Sequence, residues 1–88
     1  MSTILLIEDE AAIADMVLYA LESEGLNCVW KNLGREGVGY LQEHDEVALV
    51  ILDVGLPDGN GFEFCKEIRR DSNVPIIFLT ARNHEIDR

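Results

Sequence analysis

The chain has 88 residues, 48% of them hydrophobic, and 17 acidic side chains against seven basic ones give a net charge of −10. This length and composition predict one small globular domain and exclude a disordered polypeptide. The acidic excess argues against binding to nucleic acid or anionic lipid, both of which require a basic surface. No apolar run approaches the roughly 20 residues that span a bilayer. The acidic start is unlike a signal peptide, so we expect a cytoplasmic protein without a membrane contact.

Strand and helix patterns alternate along the chain. Apolar runs typical of strands buried in a parallel sheet occupy residues 3–7, 47–53 and 76–79, with a less regular candidate at 26–31. Helical spacing between these runs predicts helices at residues 11–24, 34–44 and 62–70, and the polar residues 81–88 could begin a fourth. This order predicts an α/β domain with parallel strands joined by right-handed crossovers and helices on both faces.

Two of the predicted helices have distinctive compositions. The helix at residues 62–70 is expected to bury an apolar stripe formed by Phe62, Cys65 and Ile68. The helix at residues 34–44 contains three glycines, each of which weakens a helix interior by up to ~1 kcal/mol. We therefore expect it to be the least stable helix of the domain.

Polar residues follow three of the apolar runs. Glu8 and Asp9 follow the first, Asp53 ends the third and Thr80 follows the last. Because the carboxyl ends of parallel strands lie at one edge of a sheet, we expect these side chains to converge. Crowded carboxylates repel one another unless a cation is bound, and an open site with hard oxygen ligands favours Mg²⁺. Taken singly, Asp53 could start a turn and the acidic residues 8–10 could stabilise the first turn of a helix.

Three blocks of the sequence resemble a response-regulator receiver domain of two-component signalling. LLIEDE is similar to the first strand with its acidic pair, VILDVGLPDGNGFE to the phosphoacceptor strand and loop, and PIIFLTAR to the fourth strand with its switch threonine. The resemblance covers essentially the whole chain. It implies a CheY-like, flavodoxin-like open parallel sheet with strand order 2-1-3-4. The blocks are most similar to receivers attached to winged-helix DNA-binding domains, which implies a bacterial transcription regulator.

The resemblance implies a metal site and a phosphoacceptor. Asp53 would accept a phosphoryl group from a histidine kinase. Asp9 would bind Mg²⁺ directly and Glu8 through water, with Asp53 and the backbone carbonyl of Gly55 completing the protein ligands. The bound metal would offset the negative charge on the phosphoryl oxygens during transfer.

The resemblance also implies roles for the loops beside the phosphoacceptor. The backbone N–H groups of Val54 and Ala81 would donate to the phosphoryl oxygens, and the Thr80 hydroxyl would respond to the modification. Pro57 and Gly61 would shape the loop, the proline by fixing φ and the glycine by allowing a positive φ, although ordinary turn roles would also account for both.

In the family, a fifth strand with a lysine, an aromatic switch residue and a final helix come next, and this sequence ends at Arg88 before any of them. Lys31 and Lys66 lie in the wrong segments to replace that lysine. We therefore expect residues 1–88 to be an incomplete receiver from a longer protein with a C-terminal output domain. Without a fifth strand, Ile76–Leu79 would be an apolar edge, so we expect this form to dimerise or otherwise self-associate.

Two other functions fit part of the pattern. A Mg²⁺-dependent phosphatase could use Asp53 as its nucleophile, although such enzymes generally carry a second acid where this chain has Gly55. A receiver-like interaction module that is never phosphorylated is the other alternative. Nucleotide binding is excluded because no G-x-G-x-x-G or G-x-x-x-x-G-K-[ST] follows a strand. The leading interpretation is a phosphoacceptor that is not an enzyme in its own right.

Overall fold

The computed structural model describes residues 2–79. Within them four strands form a parallel sheet, three helices connect these strands, and two very short strands form a separate antiparallel hairpin. In chain order the elements are β1 (Thr3–Ile7), α1 (Ala11–Ser23), β2 (Asn27–Lys31), α2 (Gly34–Glu43), β3 (Val47–Asp53), β4 (Gly55–Leu56), β5 (Gly59–Asn60), α3 (Gly61–Arg69) and β6 (Ile76–Leu79). The sheet order is β2-β1-β3-β6, so the predicted order 2-1-3-4 is confirmed with β6 as its fourth strand.

Strand β1 lies in the middle of the sheet and is buried along its whole length. It pairs in parallel with β2 on one side and with β3 on the other, and Thr3 is opposite both Asn27 and Val47. The side-chain amide of Asn27 donates a 2.9 Å hydrogen bond to the hydroxyl of Thr3. The uninterrupted apolar sequence of β1 therefore reflects a position with a strand on each side and helices above and below.

The main core lies between one face of the sheet and helices α2 and α3. Successive strand residues point to opposite faces, so Leu5 and Ile7 share this face while Ile4 and Leu6, also buried, lie on the other. Helix α1 packs against β2, and α2 packs against β1 and α3. The buried members of the main core are Leu5, Ile7, Val38, Val47, Val50, Leu52, Leu56, Phe64 and Ile68.

Two glycines of α2 are buried at close contacts. A Cβ atom on Gly37 would overlap the side chain of Ile7, and one on Gly34 would overlap the ring of Phe64. These glycines lower intrinsic helix propensity, yet they let α2 approach the sheet and α3 closely. The predicted low stability of α2 remains a prediction, but two of its three glycines, Gly34 and Gly37, have a packing reason.

Helix α3 buries a different phenylalanine from the predicted one. Phe64 is 6% exposed, whereas Phe62 is 49% exposed and packs its ring against Phe78 of β6, with ring centroids 4.8 Å apart. The prediction for Phe62 was therefore wrong, and those for Ile68, which is buried, and Cys65, which is half-buried against the core, were right. The reason is a contact between two helices, because Gly34 at the start of α2 has no side chain and leaves room for the ring of Phe64 from α3.

Helix α1 is terminated by a glycine in the left-handed backbone conformation. Gly25 has a φ of 81°, and its N–H donates to the carbonyl of Glu22 at 2.9 Å, while the N–H of Leu26 donates to that of Leu21 at 3.1 Å. This pair of bonds is the Schellman motif, which satisfies carbonyl groups left over at a helix end. Within residues 2–79, every helix is too short or too polar to span a lipid bilayer.

Candidate functional site

Three carboxylates meet at the carboxyl edge of the sheet. Glu8 and Asp9 directly follow β1, and Asp53 is the last residue of β3. Because β1 and β3 are parallel neighbours with Ile7 opposite Leu52, the residues after each of these positions emerge side by side. One carboxylate oxygen from each of the three acids lies within 4.8 Å of those of the other two. The structure thus brings together the three acidic residues that the sequence analysis selected.

Glu8 is unusually well buried for an acidic residue. Its side chain is 1% exposed, and its Oε2 accepts a 2.9 Å hydrogen bond from the backbone N–H of Glu10. Burial raises the pKa of Glu8 to about 7, and the nearby charges of Asp53 and Asp9 add to the rise against the opposing effect of the Glu10 N–H. Burial and the neighbouring carboxylates therefore both favour the protonated form of Glu8.

Strand β2 also supports the position of Glu8. The indole Nε1 of Trp30 donates a 2.7 Å hydrogen bond to the backbone carbonyl of Glu8, and the N–H of Glu8 donates to the carbonyl of Lys31 at 3.1 Å. These two bonds hold the backbone of Glu8, at the end of β1, against β2. The carboxylate of Glu8 lies in one cluster with that of Asp53.

The loop after Asp53 folds back against the end of β3. The N–H of Gly55 lies 3.4 Å from Oδ1 of Asp53, and the N–H of Gly61 donates to the carbonyl of Val54 at 2.7 Å. A Cβ atom on Gly61 would overlap the carbonyl oxygen of Asp53. Among the described residues, positive φ values occur only at Gly25 and Gly59. The expected positive φ at Gly61 was therefore wrong, because that glycine serves the close approach of two backbone segments.

Two of the remaining predicted site residues, Val54 and Gly55, lie in the loop after β3. Val54 is half-buried directly after β3, and Gly55 is exposed at the start of β4. Thr80 and Ala81 lie outside the described residues. The last described residue, Leu79, is opposite Asp53 in the register of β3 and β6.

The contact of one residue in the loop after β3 was not predicted from the sequence. Asp58, in the turn of the β4–β5 hairpin, accepts hydrogen bonds from the backbone N–H groups of Gly34 and Arg35, both at 2.9 Å. The sequence Pro57-Asp58-Gly59 predicts a turn. It does not predict that the Asp58 side chain binds the start of α2, which is distant in sequence.

The donor set at the edge of the sheet fits a hard divalent cation. It consists of carboxylate oxygens, and two of its three acids, Glu8 and Asp53, are almost fully buried. Mg²⁺ is bound by few carboxylates and retains several waters, which suits a cluster in which Asp9 is more exposed than its two neighbours.

Comparison with known families agrees with this geometry. Residues 4–88 match the family model described as the response regulator receiver domain. The chain belongs to this receiver domain family. The match begins at Ile4 in β1 and covers β3 with Asp53, so all three clustered acids fall inside it.

A curated relative and two solved structures illustrate the similarity. The chain is 43% identical over 88 residues to the transcriptional regulatory protein CpxR homolog of Haemophilus influenzae, and these residues are 100% of this chain and 38% of that protein. It resembles the chemotaxis protein CheY4 of Vibrio cholerae, with a TM-score of 0.81, 28% identity, and coverage of 99% of this chain and 77% of that one. It also resembles a chain in the complex of histidine kinase ThkA with response regulator protein TrrA, with a TM-score of 0.84, 33% identity, and coverage of 92% and 70%.

Proposed function

We propose that this receiver domain accepts a phosphoryl group on Asp53 from a histidine kinase in the cytoplasm. The observation that carries the proposal is the grouping of the Asp53 carboxylate with those of Glu8 and Asp9 within 4.8 Å, at the carboxyl end of β3. A receiver chain of similar fold in a complex with a histidine kinase supports the choice of donor.

Each residue would have a distinct task in the transfer. A carboxylate oxygen of Asp53 attacks the phosphorus atom of the kinase's phosphorylated histidine. The bond from phosphorus to the histidine nitrogen breaks, and its electron pair stays on that nitrogen. Asp9, Asp53 and the carbonyl of Gly55 would hold Mg²⁺ directly, and Glu8 would hold it through water. The bound Mg²⁺ supplies positive charge that offsets the negative charge on the phosphoryl oxygens.

Backbone and hydroxyl groups would complete the phosphoryl site. The N–H groups of Val54 and Ala81 would donate hydrogen bonds to phosphoryl oxygens, and the Thr80 hydroxyl would move toward the modified Asp53. Preformed donors of this kind stabilise charge as it develops, at little reorganisation cost.

The output of the whole protein is proposed from its relatives. The chain spans 38% of the length of the Haemophilus transcriptional regulatory protein, so a further part of such a protein would act on DNA. With a net charge of −10, residues 1–88 themselves are unsuited to contact DNA directly. We propose that phosphorylation of Asp53 controls a C-terminal output domain that regulates transcription.

Intact-mass analysis after treatment with acetyl phosphate and Mg²⁺ tests the modification. The wild-type protein and Asp45→Asn, which makes the same chemical change at an exposed turn before β3, should each gain one phosphoryl group. Asp53→Asn should gain none. Equal uptake by Asp53→Asn would remove Asp53 from its role, and no uptake by the wild type from either acetyl phosphate or a kinase would favour an unphosphorylated interaction module.

We further propose that the domain does not turn over small phosphate esters. The residue two positions after Asp53 is the exposed Gly55, so this loop offers no second acid there to protonate a leaving group. Incubation with p-nitrophenyl phosphate and Mg²⁺ should release no more nitrophenol than Asp53→Asn does. Multiple turnovers that depend on Asp53 would instead favour a phosphatase.

A further inference from the structure

The carboxylate of Asp58 connects the loop after β3 to the start of α2. Its Oδ1 accepts a hydrogen bond from the N–H of Gly34 and its Oδ2 accepts one from the N–H of Arg35, each at 2.9 Å. Both carboxylate oxygens therefore accept hydrogen bonds from a helix that lies more than 20 residues earlier in the chain. Such a bond holds two separate segments together, unlike a cap formed by the residue that precedes its own helix.

Helix α2 depends on this distant carboxylate for its first turn. The residue at its own N-cap position, Leu33, has no side chain that can accept a hydrogen bond, and none is formed there. The first N–H groups of a helix have no partner within the helix. Burial opposes ionisation of Asp58, but the N–H groups of Arg35, Gly34 and Asp58 itself, together with the charge of Arg35, lower its pKa overall.

The same two segments also meet over the ring of Phe64. Gly34 of α2 lies against one part of this ring, and a Cβ atom on Gly59 of β5 would lie 3.0 Å from it. The guanidinium of Arg35 lies 5.4 Å from the ring centroid. The Asp58 hydrogen bonds are therefore part of a packed contact between the hairpin, α2 and α3.

From Asp58 the β4–β5 hairpin leads back to the carboxylate cluster. In its two-residue ladder Leu56 is opposite Gly59 and Gly55 is opposite Asn60, and the N–H of Gly55 lies 3.4 Å from Oδ1 of Asp53. A two-stranded ladder of this length is not stable by itself in water. Its position beside Asp53 therefore depends on contacts outside the ladder, among them the burial of Leu56 in the core and the hydrogen bonds of Asp58 at its turn.

We propose that Asp58 is a positioning residue that fixes the backbone of Gly55 beside Asp53 by holding the hairpin against the N-terminus of α2. The inference rests on the proposed function to the extent that the Gly55 carbonyl is a ligand of Mg²⁺. Loss of the Asp58 carboxylate would leave Glu8, Asp9 and Asp53 intact, yet it would release the segment that carries Gly55.

Three variants separate this role from a simple effect on α2. Asp58→Ala removes both acceptors, and Asp58→Asn keeps one acceptor oxygen. Glu67→Gln weakens the bidentate Arg35–Glu67 ion pair, whose N–O distances are 2.6 and 2.9 Å, and leaves both Asp58 hydrogen bonds in place. Amide hydrogen exchange by NMR, measured on the whole protein without metal, reports the hairpin and α2 separately. Mg²⁺ titration monitored by amide shifts then reports the site.

In Asp58→Ala we expect exchange to accelerate about fivefold, both at the first turn of α2 and at Gly55–Leu56 and Gly59–Asn60, as suits the loss of a helix cap. We expect Mg²⁺ affinity to fall by about the same factor, because part of the binding free energy must then be used to return the Gly55 backbone to its position beside Asp53. Asp58→Asn should show a smaller change in both measurements, and Glu67→Gln should leave the hairpin amides and the Mg²⁺ affinity unchanged.

The result that would overturn the inference is faster exchange in α2 alone, with hairpin amides and Mg²⁺ affinity as in the wild type. Asp58 would then be only a helix cap. If the hairpin amides do respond but the wild type takes no phosphoryl group on Asp53, the positioning role stands and the proposed function fails. Amide hydrogen exchange in the hairpin thus tests the positioning role of Asp58 independently of phosphorylation.

Discussion

The indole N–H of Trp30 and the backbone carbonyl of Glu8 are joined by a 2.7 Å hydrogen bond that crosses from β2 to the end of β1. Trp30 is the single tryptophan of the 88 residues and is half-buried. Its fluorescence therefore reports on the residue that begins the carboxylate cluster, without an added label.

Mg²⁺ binding should change this fluorescence, and Asp53→Ala should weaken the binding about tenfold, which corresponds to ~1.4 kcal/mol. The reason is the removal of one of three clustered carboxylates that hold a hard cation. The measurement is a fluorescence titration with Mg²⁺ on the 88-residue chain. Asp45→Ala, an equal loss of charge at an exposed turn, should bind as the wild type does, and equal affinities in Asp53→Ala and the wild type would exclude Asp53 as a ligand.

The free energy of unfolding of the metal-free protein should include a contribution from Glu8 that declines as pH rises. The pKa of Glu8 is raised from 4.5 to about 7, mainly by burial, so between these values the folded state holds a proton that the unfolded state has released. The contribution is complete below pH 4.5 and is lost as pH rises through about 7. Urea unfolding across this range should show a downward slope that Glu8→Gln reduces and Glu10→Gln, an exposed neighbour, does not. Identical slopes of unfolding free energy against pH in the wild type and Glu8→Gln would contradict a contribution from Glu8.

Alanine should have opposite effects at two glycines of α2. Gly37→Ala should destabilise the protein by about 1–3 kcal/mol, because its Cβ would overlap the fully buried Ile7. Gly39→Ala has open space and should stabilise by up to about 1 kcal/mol through helix propensity.

Chemical denaturation of both variants measures the difference, and Ile7→Val provides a further test. This change shortens the side chain that meets Gly37, so the cost of Gly37→Ala should be smaller in its presence. Equal costs in the two backgrounds would place the strain elsewhere.

The 88-residue polypeptide should self-associate through β6. In the part of the chain that the structure describes, β6 pairs only with β3, and Ile77 on this edge is 54% exposed. An apolar strand edge recruits other strands, and a charge on it discourages pairing. Light scattering after size-exclusion chromatography should show Ile77→Lys to be more monomeric than the wild type. Met16→Lys, the same change at an exposed position of α1, should not have this effect, and a monodisperse wild-type monomer at high concentration would refute the prediction.

The parts of the fold that sequence predicted well are those specified by long apolar runs. Buried parallel strands produce a continuous signal, and parallel topology then places Glu8 beside Asp53 without further information. The hairpin of Gly55–Leu56 and Gly59–Asn60 was missed because two-residue strands are too short to show any periodicity.

The errors within the predicted elements have a common cause. The choice of Phe62 over Phe64 followed helical spacing alone, but the buried position was decided by the space beside Gly34 on another helix. The role of Asp58 likewise depends on a partner that is close in space and distant in sequence. Spacing identifies which residues can share a face, whereas tertiary contacts select among them.

The central place of β1 has a consequence for the protein during its synthesis. Both partners of β1 come later in the chain, and the edge that receives β3 stays unpaired until residue 53 has left the ribosome. In that interval the apolar segment Thr3–Ile7 could pair with another nascent chain. The acidic residues 8–10 follow it immediately, and flanking charges oppose such aggregation. The carboxylates that later form the edge of the finished sheet therefore also protect its most buried strand before the fold exists.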